Sequence, residues 1–303
     1  MTSNGTAGSL RGVSVLLILV MMVWGLNIPV VKSLSGVMEA VWVGTVRLVA
    51  AVVVLSLCVR LRDRRWPALT GRQWRLLALT AFLMVYANQL CFTHGMQLAT
   101  STSASLVMAL LPTLSIVAGA IAFRDRLPLR AVAGIAIGFA GVALVILDAP
   151  DADLRFTGLG EGIIFLGLLS FVSGGLLIQR MVRDLDVLVV GWASYLLGAC
   201  MLLAHALLVG GWEKTAVAFD AAWVWGWVVY SGMLGTALSN VAWYWAIGRI
   251  GQGRASVFLY WLPIFGVGFS ALLLGESLGW RHGVALAMVV AGTRLGLARR
   301  AAT

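Results

Sequence analysis

The chain is 303 residues long, 61% apolar and only 11% Asp, Glu, Lys or Arg, against about 25% charged residues in an average soluble domain. With a mean hydropathy of +0.96 it lacks the polar surface of a soluble domain, and its composition excludes disordered and disulfide-stapled classes. Long uninterrupted apolar runs replace the alternation of a membrane barrel, so an all-α integral membrane protein is expected.

About 20 apolar helical residues cross a 30 Å hydrocarbon core. The first run, Gly12–Val31, is longer than a signal-peptide core and lacks a convincing cleavage site, so it is expected to stay as span one. Ala40–Val59 follows, interrupted by Arg47. The charge-free stretch Leu76–Phe123 is too long for one crossing and is expected to fold back at the polar segment Gln97–Ser103, giving spans three and four. Ala131–Leu147, Gly162–Gln179, Val187–Trp212, Ala221–Gly248 and Ala255–Gly275 come next, and Gly279–Ala298 closes a set of ten. Cys58, Cys91 and Cys200 lie in apolar runs without paired spacing and are expected to be buried thiols, with no disulfide or metal site.

Seventeen of the 22 Lys and Arg residues fall in loops on the side of the N-terminus, and Lys32, Arg155, Lys214 and Arg281 on the other. The positive-inside bias therefore predicts a multi-pass protein of the cell (inner) membrane with both termini cytoplasmic. The net charge of +10 reads as topology signals and anionic-lipid contacts; no nucleic-acid partner is expected.

Ala104-Ser105, Pro112, Asp125-Arg126-Leu127 and Arg130 recur 151 residues later as Ala255-Ser256, Pro263, Glu276-Ser277-Leu278 and Arg281. Residues 1–150 and 151–303 are thus expected to be two five-helix repeats, and an odd number of spans inverts the second relative to the first. Inverted repeats with a site at their interface are a transporter architecture.

Trp24-Gly25-Leu26-Asn27, Lys32 closing span one, Arg47 inside span two and the paired Ala-Ser…Pro…acid-x-Leu segments together resemble the EamA branch of the drug/metabolite transporter superfamily. Gly275-Glu276-Ser277-Leu278 matches that family's Gly-Glu-x-Leu signature, and Phe123–Leu127 is a looser copy. The resemblance implies ten helices and passage of small metabolites, often export of amino acids or toxic compounds. Aromatic amino-acid exporters of the family carry a Tyr nine residues before the Gly of span three and another three before the Pro of span nine, as Tyr86/Gly95 and Tyr260/Pro263 do here. The corresponding Tyr of span four is replaced by Ala109.

Several polar residues lie where a solute could meet them. Tyr86, Gln89, Thr93 and Gln97 form one stripe along span three, and Thr236, Asn240, Trp243 and Tyr244 another along span eight; each stripe faces either a cavity or a neighbouring helix. Trp24 and Asn27 sit in span one, and Asn27 either reaches a solute or repairs carbonyls freed by Pro29. Arg47 lies too deep for a loop charge and either holds a carboxylate or caps carbonyls. Ser105 and Ser256 agree between the halves, whereas Tyr260 replaces Ala109, making one cavity wall aromatic. Pro112 and Pro263 are candidate hinges. The leading expectation is an exporter of small amphipathic metabolites, amino acids above all, working by alternating access with a small-molecule substrate, no cofactor, and a monomeric or weakly dimeric state. No acidic residue lies within a span, which points away from coupling; the alternatives are proton-coupled antiport of drugs or other metabolites, with His94 or His205 as proton carrier, and, remotely, a membrane-embedded enzyme.

Overall fold

The computed structural model describes residues 3–63, 68–98, 107–123, 129–147, 158–274 and 280–297, and every regular element among them is helical. α1 (Ser3–Val37) and α2 (Ala40–Asp63) are continuous. α3 (Gly71–Thr80) runs through a π-helical stretch, Ala81–Ala87, into α4 (Asn88–Leu98). α5 (Leu111–Phe123) and α6 (Leu129–Leu147) follow, with a turn at residues 109–110 leading into α5. α7 (Leu159–Met181) and α8 (Val187–Val209) lead to a short helix, α9 (Trp212–Ala218). α10 (Ala222–Gly232) passes through a second π-helical stretch, Met233–Leu238, into α11 (Ser239–Ile250). α12 (Gln252–Ser256), a 3-10 turn Val257–Tyr260 and α13 (Trp261–Leu274) form one broken rod, and α14 (Trp280–Leu297) is the last element.

Among the described residues, five helical segments are long and apolar enough to cross a membrane, or six if α9 and the Ala222–Ile250 rod, which meet at 106°, count as one span; Leu111–Phe123, Leu129–Leu144 and Gly283–Leu295 are apolar but shorter. The surface fits a lipid solvent: Ile121, Leu129, Leu208 and Leu272 are among many large apolar side chains exposed on helix faces, where a soluble protein would expose charge. The cysteines are free, but they are not a buried set: Cys58 and Cys91 are half-buried and Cys200 is exposed, because its face of α8 points out of the bundle. Ser105, the Thr100–Ser103 turn, Asp125–Leu127 and Gly275–Leu278 lie outside the described residues.

Caps and ion pairs mark the helix ends. Thr70 and Gln73 form a capping box on α3, and Asp186 Oδ1 accepts from the N–H groups of Leu188 and Val189 while pairing with Arg62 at 2.9 Å. That joins the last turn of α2 to the first of α8. At the opposite end of the same two helices Glu39 pairs with Lys214 at 3.3 Å, and the Trp42 indole donates to the carbonyl of Gly210 at 2.7 Å. Gly210 and Gly251 take φ of +84°, which glycine alone adopts without strain, and so stop α8 and α11 sharply.

Glycines set the helix distances. The most extensive helix–helix contact among the described residues joins α6 to α14, where a Cβ on Gly292 would lie 2.7 Å from both the Gly134 carbonyl and the Gly138 nitrogen. The small-residue stripe of span five is therefore a packing seam. α2 packs on α8, α4 on α7, α1 on α13, and α12 on α5. Gly292→Leu should force α14 off α6, lowering thermal stability by about 1–3 kcal/mol or abolishing folded yield, whereas Gly283→Leu, with open space around it, should leave the melting temperature near wild type in detergent.

Candidate functional site

A cavity of about 330 Å³ opens between α1, α2, the α3–α4 rod, α7, α8, the α10–α11 rod and α13, lined by Trp24, Asn27, Arg47, Asn88, Gln89, Phe171, Tyr195, Thr236, Asn240 and Leu262 among others. Its size falls at the lower end of small-molecule sites, and its wall mixes aromatic surface with convergent amides, as such sites do.

The π-helical stretch Met233–Leu238 builds one side. A π turn misaligns the backbone ladder, and in lipid each freed carbonyl needs another donor. Here the Trp24 indole donates to the Gly235 carbonyl at 2.9 Å, Ser239 Oγ to Leu234 O at 2.6 Å, Thr236 Oγ1 to Ser231 O at 2.8 Å and Asn240 Nδ2 to Thr236 O at 2.8 Å. Ser231 Oγ donates to Asn27 Oδ1, and the Tyr230 hydroxyl to Val23 O at 3.2 Å. Three of these bonds tie α1 to the α10–α11 rod, and three lie within the rod around its irregular backbone. Asn27 takes part in that repair while still lining the cavity, so both roles open to it from sequence are present.

Arg47 faces this wall. Its Nη2 donates to Thr236 Oγ1 at 3.5 Å, long for an N–H···O bond, and its Nε is buried with no partner among the described residues. No carboxylate approaches it: among the described residues the ion pairs are Arg62–Asp186 and Lys214–Glu39, both at helix ends. Tyr195, which lies on the far side in α8 and stacks on Tyr244 with ring centroids 6.4 Å apart, completes the polar lining. The cavity therefore holds one cation and, among the described residues, no acidic side chain.

Six of the residues singled out from sequence meet in the cavity: Trp24, Asn27, Arg47, Gln89, Thr236 and Asn240. Others do not. Tyr86 turns away, donating or accepting at His205 Nδ1 over 3.0 Å with Phe82 beside its ring. The reason is the π stretch Ala81–Ala87: with more than four residues per turn it swings Tyr86 off the line that a regular helix would draw through Gln89. Trp243, Tyr244 and Tyr260 are fully buried. Trp243 packs on Trp24, ring centroids 5.5 Å apart, and Tyr260 lies against Gly138 with its hydroxyl donating to Ile135 O at 3.2 Å. The aromatic wall expected from span nine is thus helix packing, and the cavity's aromatic surface comes from Trp24, Phe171 and Tyr195. Ser256 Oγ bonds its own helix at Gly253 O, 2.8 Å away, and Pro112 O at 3.5 Å. Pro112 and Pro263 both sit in the first turn of a helix, α5 and α13, just beyond a break; there a missing N–H costs little, so neither kinks a continuous helix.

Asn88 and Phe171 also line the site, and neither stands out in the sequence. Asn88 is one residue from the stripe read along span three, and the same π stretch brings it round; Phe171 lies in a run with no polar signal at all.

The model of the EamA-like transporter family matches residues 12–147 and again 158–297. The chain belongs to the EamA-like transporter family. Among its relatives, the uncharacterized transporter YetK of Bacillus subtilis is 24% identical over 81% of this chain and 74% of its own. A probable terminal-alkyne amino-acid exporter of Streptantibioticus cattleyicolor is 24% identical over 95% and 96%, and a probable amino-acid metabolite efflux pump of Salmonella typhimurium 25% identical over 91% and 92%. A solved crystal structure superposes on 95% of this chain and 96% of its own with a TM-score of 0.80 at 16% identity, which establishes a shared fold. The protein is a multi-pass membrane transporter with a small-molecule substrate, not an enzyme.

An unpaired guanidinium in a membrane protein costs stability. In the transporter, Arg47→Met should leave the melting temperature in detergent equal to or above wild type while removing transport of a carboxylate-bearing solute; a clear loss of stability would make Arg47 a structural cap instead.

Proposed function

We propose that this transporter exports small amphipathic metabolites carrying a carboxylate, amino acids above all, and that the cavity around Arg47 is its solute site. The observation that carries this is a guanidinium held inside the membrane with, among the described residues, one long hydrogen bond and no acid partner. A solute carboxylate supplies the missing partner and the bidentate geometry that guanidinium favours. The names of the Streptantibioticus and Salmonella relatives point the same way.

The proposed architecture is ten spans in two inverted five-helix repeats, 1–150 and 151–303, with both termini on the cytoplasmic side of the inner membrane. Four observations support it. The family model matches twice. The two π-helical stretches begin at Ala81 and Met233, 152 residues apart, each inside a rod that lines the cavity. Gln89 and Asn240, at the 151-residue spacing of the repeat, both line it. Helix contacts pair in the same sense: α1 with α13 as α7 with α5, and α4 with α7 as α11 with α1. Two halves of this kind rocking about a central site give alternating access. A monomeric or weakly dimeric state is proposed with it.

Transport is proposed to run down the solute's own gradient. Glu39 is spent on Lys214 at the rim, and Glu161 caps its own helix by accepting from Gly158 N at 2.9 Å. Proton-coupled antiport of drugs or other metabolites has one foothold, the Tyr86–His205 hydrogen bond, which joins two groups able to exchange a proton. Counterflow and uphill uptake of amino acids in proteoliposomes, with and without an imposed pH gradient, test both. Saturable counterflow without uphill accumulation is expected; gradient-driven accumulation abolished in His205→Ala would establish coupling instead, and no flux of any carboxylate-bearing solute would overturn the assignment of the cavity.

A further inference from the structure

Two of the cavity's amides have only one end free. Asn88 Nδ2 donates to the carbonyl of Gly167 in α7 at 2.9 Å, and Asn240 Nδ2 donates to the carbonyl of Thr236 at 2.8 Å. A backbone carbonyl can only accept, so in both residues the nitrogen must face the backbone and the orientation of the amide is fixed by chemistry. What remains is Oδ1. Neither Oδ1 takes a hydrogen bond among the described residues, neither is sealed from the solvent, and both residues line the cavity. Each amide is anchored on a different helix, yet both present the same thing to the cavity, a bare acceptor.

Asn240 lies about one helical turn beyond Thr236 along the α10–α11 rod, and Thr236 is the residue that Arg47 touches. One turn is about 5.4 Å. The cavity thus offers a fixed positive charge at one level and, a turn deeper, an uncharged carbonyl oxygen joined by a second from α4. Carbonyl oxygens without a formal charge accept from an ammonium group without trapping it, which suits a site that must also release its cargo. A cation lacking a carboxylate meets Arg47 as a like charge, and an anion lacking an ammonium leaves both acceptors unmatched.

We propose that the side-chain carbonyls of Asn88 and Asn240 form the ammonium seat for a zwitterionic α-amino acid whose carboxylate is held at Arg47. This rests on the cavity being the solute site, and it narrows the substrate class from carboxylates in general to those bearing a free amino group. It also excludes cationic drugs and N-acylated amino acids as good substrates. The apolar remainder of the solute faces Trp24, Phe171 and Leu262.

The test is binding of three probes to the full chain in lipid nanodiscs, followed by tryptophan fluorescence, since Trp24 borders the site. The probes are L-phenylalanine, 3-phenylpropionate, which lacks the amine, and 2-phenylethylamine, which lacks the carboxylate. Wild type should bind phenylalanine about tenfold or more tightly than either analogue, the factor expected for losing a hydrogen bond to a charged group. Asn88→Leu and Asn240→Leu should each bring phenylalanine down to the affinity of 3-phenylpropionate while leaving 3-phenylpropionate unchanged. General damage to the fold would weaken both probes together and leave their ratio alone, so a preserved ratio in both variants overturns the seat. Equal binding of phenylalanine and 3-phenylpropionate by wild type overturns it too, while sparing the carboxylate site at Arg47. Equal binding of phenylalanine and phenylethylamine contradicts the carboxylate site itself, and binding of none of the three overturns both.

Discussion

A guanidinium without an acid partner, set between helices that cross a membrane, is the constraint around which the rest of this molecule is arranged. Such a charge is tolerated only where polar groups and water reach it. Arg47 is placed against the irregular stretch Met233–Leu238, and Thr236 links it to the Ser231 carbonyl that the irregularity frees. Close approach of the two helices makes this possible. A Cβ on Gly232 would lie 2.9 Å from the Arg47 carbonyl and 2.6 Å from Ala50 Cβ, so any side chain there would lift the α10–α11 rod away from α2. The indole of Trp24 and the amide of Asn27 then satisfy the remaining groups from α1. Polar residues in this part of the molecule do two jobs, repairing backbone and lining a cavity.

The same economy separates scaffold from site. In the proposed repeat, π-helical stretches, Gln89 with Asn240, and paired helix contacts correspond, while Arg47 has no counterpart: position 198 is a glycine whose missing side chain makes room for Val85. A frame of that kind with one asymmetric charge would give a solute a single preferred orientation. The cavity is also asymmetric in depth, with Arg47 at one level and the free amide oxygen of Asn240 a turn beyond.

Much of this was legible in the sequence, and the remainder fails for a physical cause in each case. Helix positions follow from apolar run length, while the fold-back expected at Gln97–Ser103 lies largely outside the described residues. Arg47, Asn27, Trp24, Gln89 and Asn240 stood out because polar or bulky groups in a span need a reason. Tyr86 and Asn88 were misplaced and missed by the same feature, a π-helical stretch that no residue pattern announces and that turns one out of the cavity as it turns the other in. Trp243, Tyr244 and Tyr260 looked like lining because aromatics in a span are conspicuous, yet large flat side chains also fill helix junctions, and these are buried there. Phe171 carried no signal, since one phenylalanine in an apolar run looks like any other until its neighbours are known.

The direct measurement of the central claim is solid-state NMR of the transporter in lipid, with 15N-labelled arginine and a solute 13C-labelled at its carboxylate. Bidentate contact places the carboxylate carbon about 4 Å from the guanidinium nitrogens, so a strong 13C–15N dipolar coupling is expected that disappears in Arg47→Met. A bound, saturable solute whose carboxylate couples to no arginine would contradict the account.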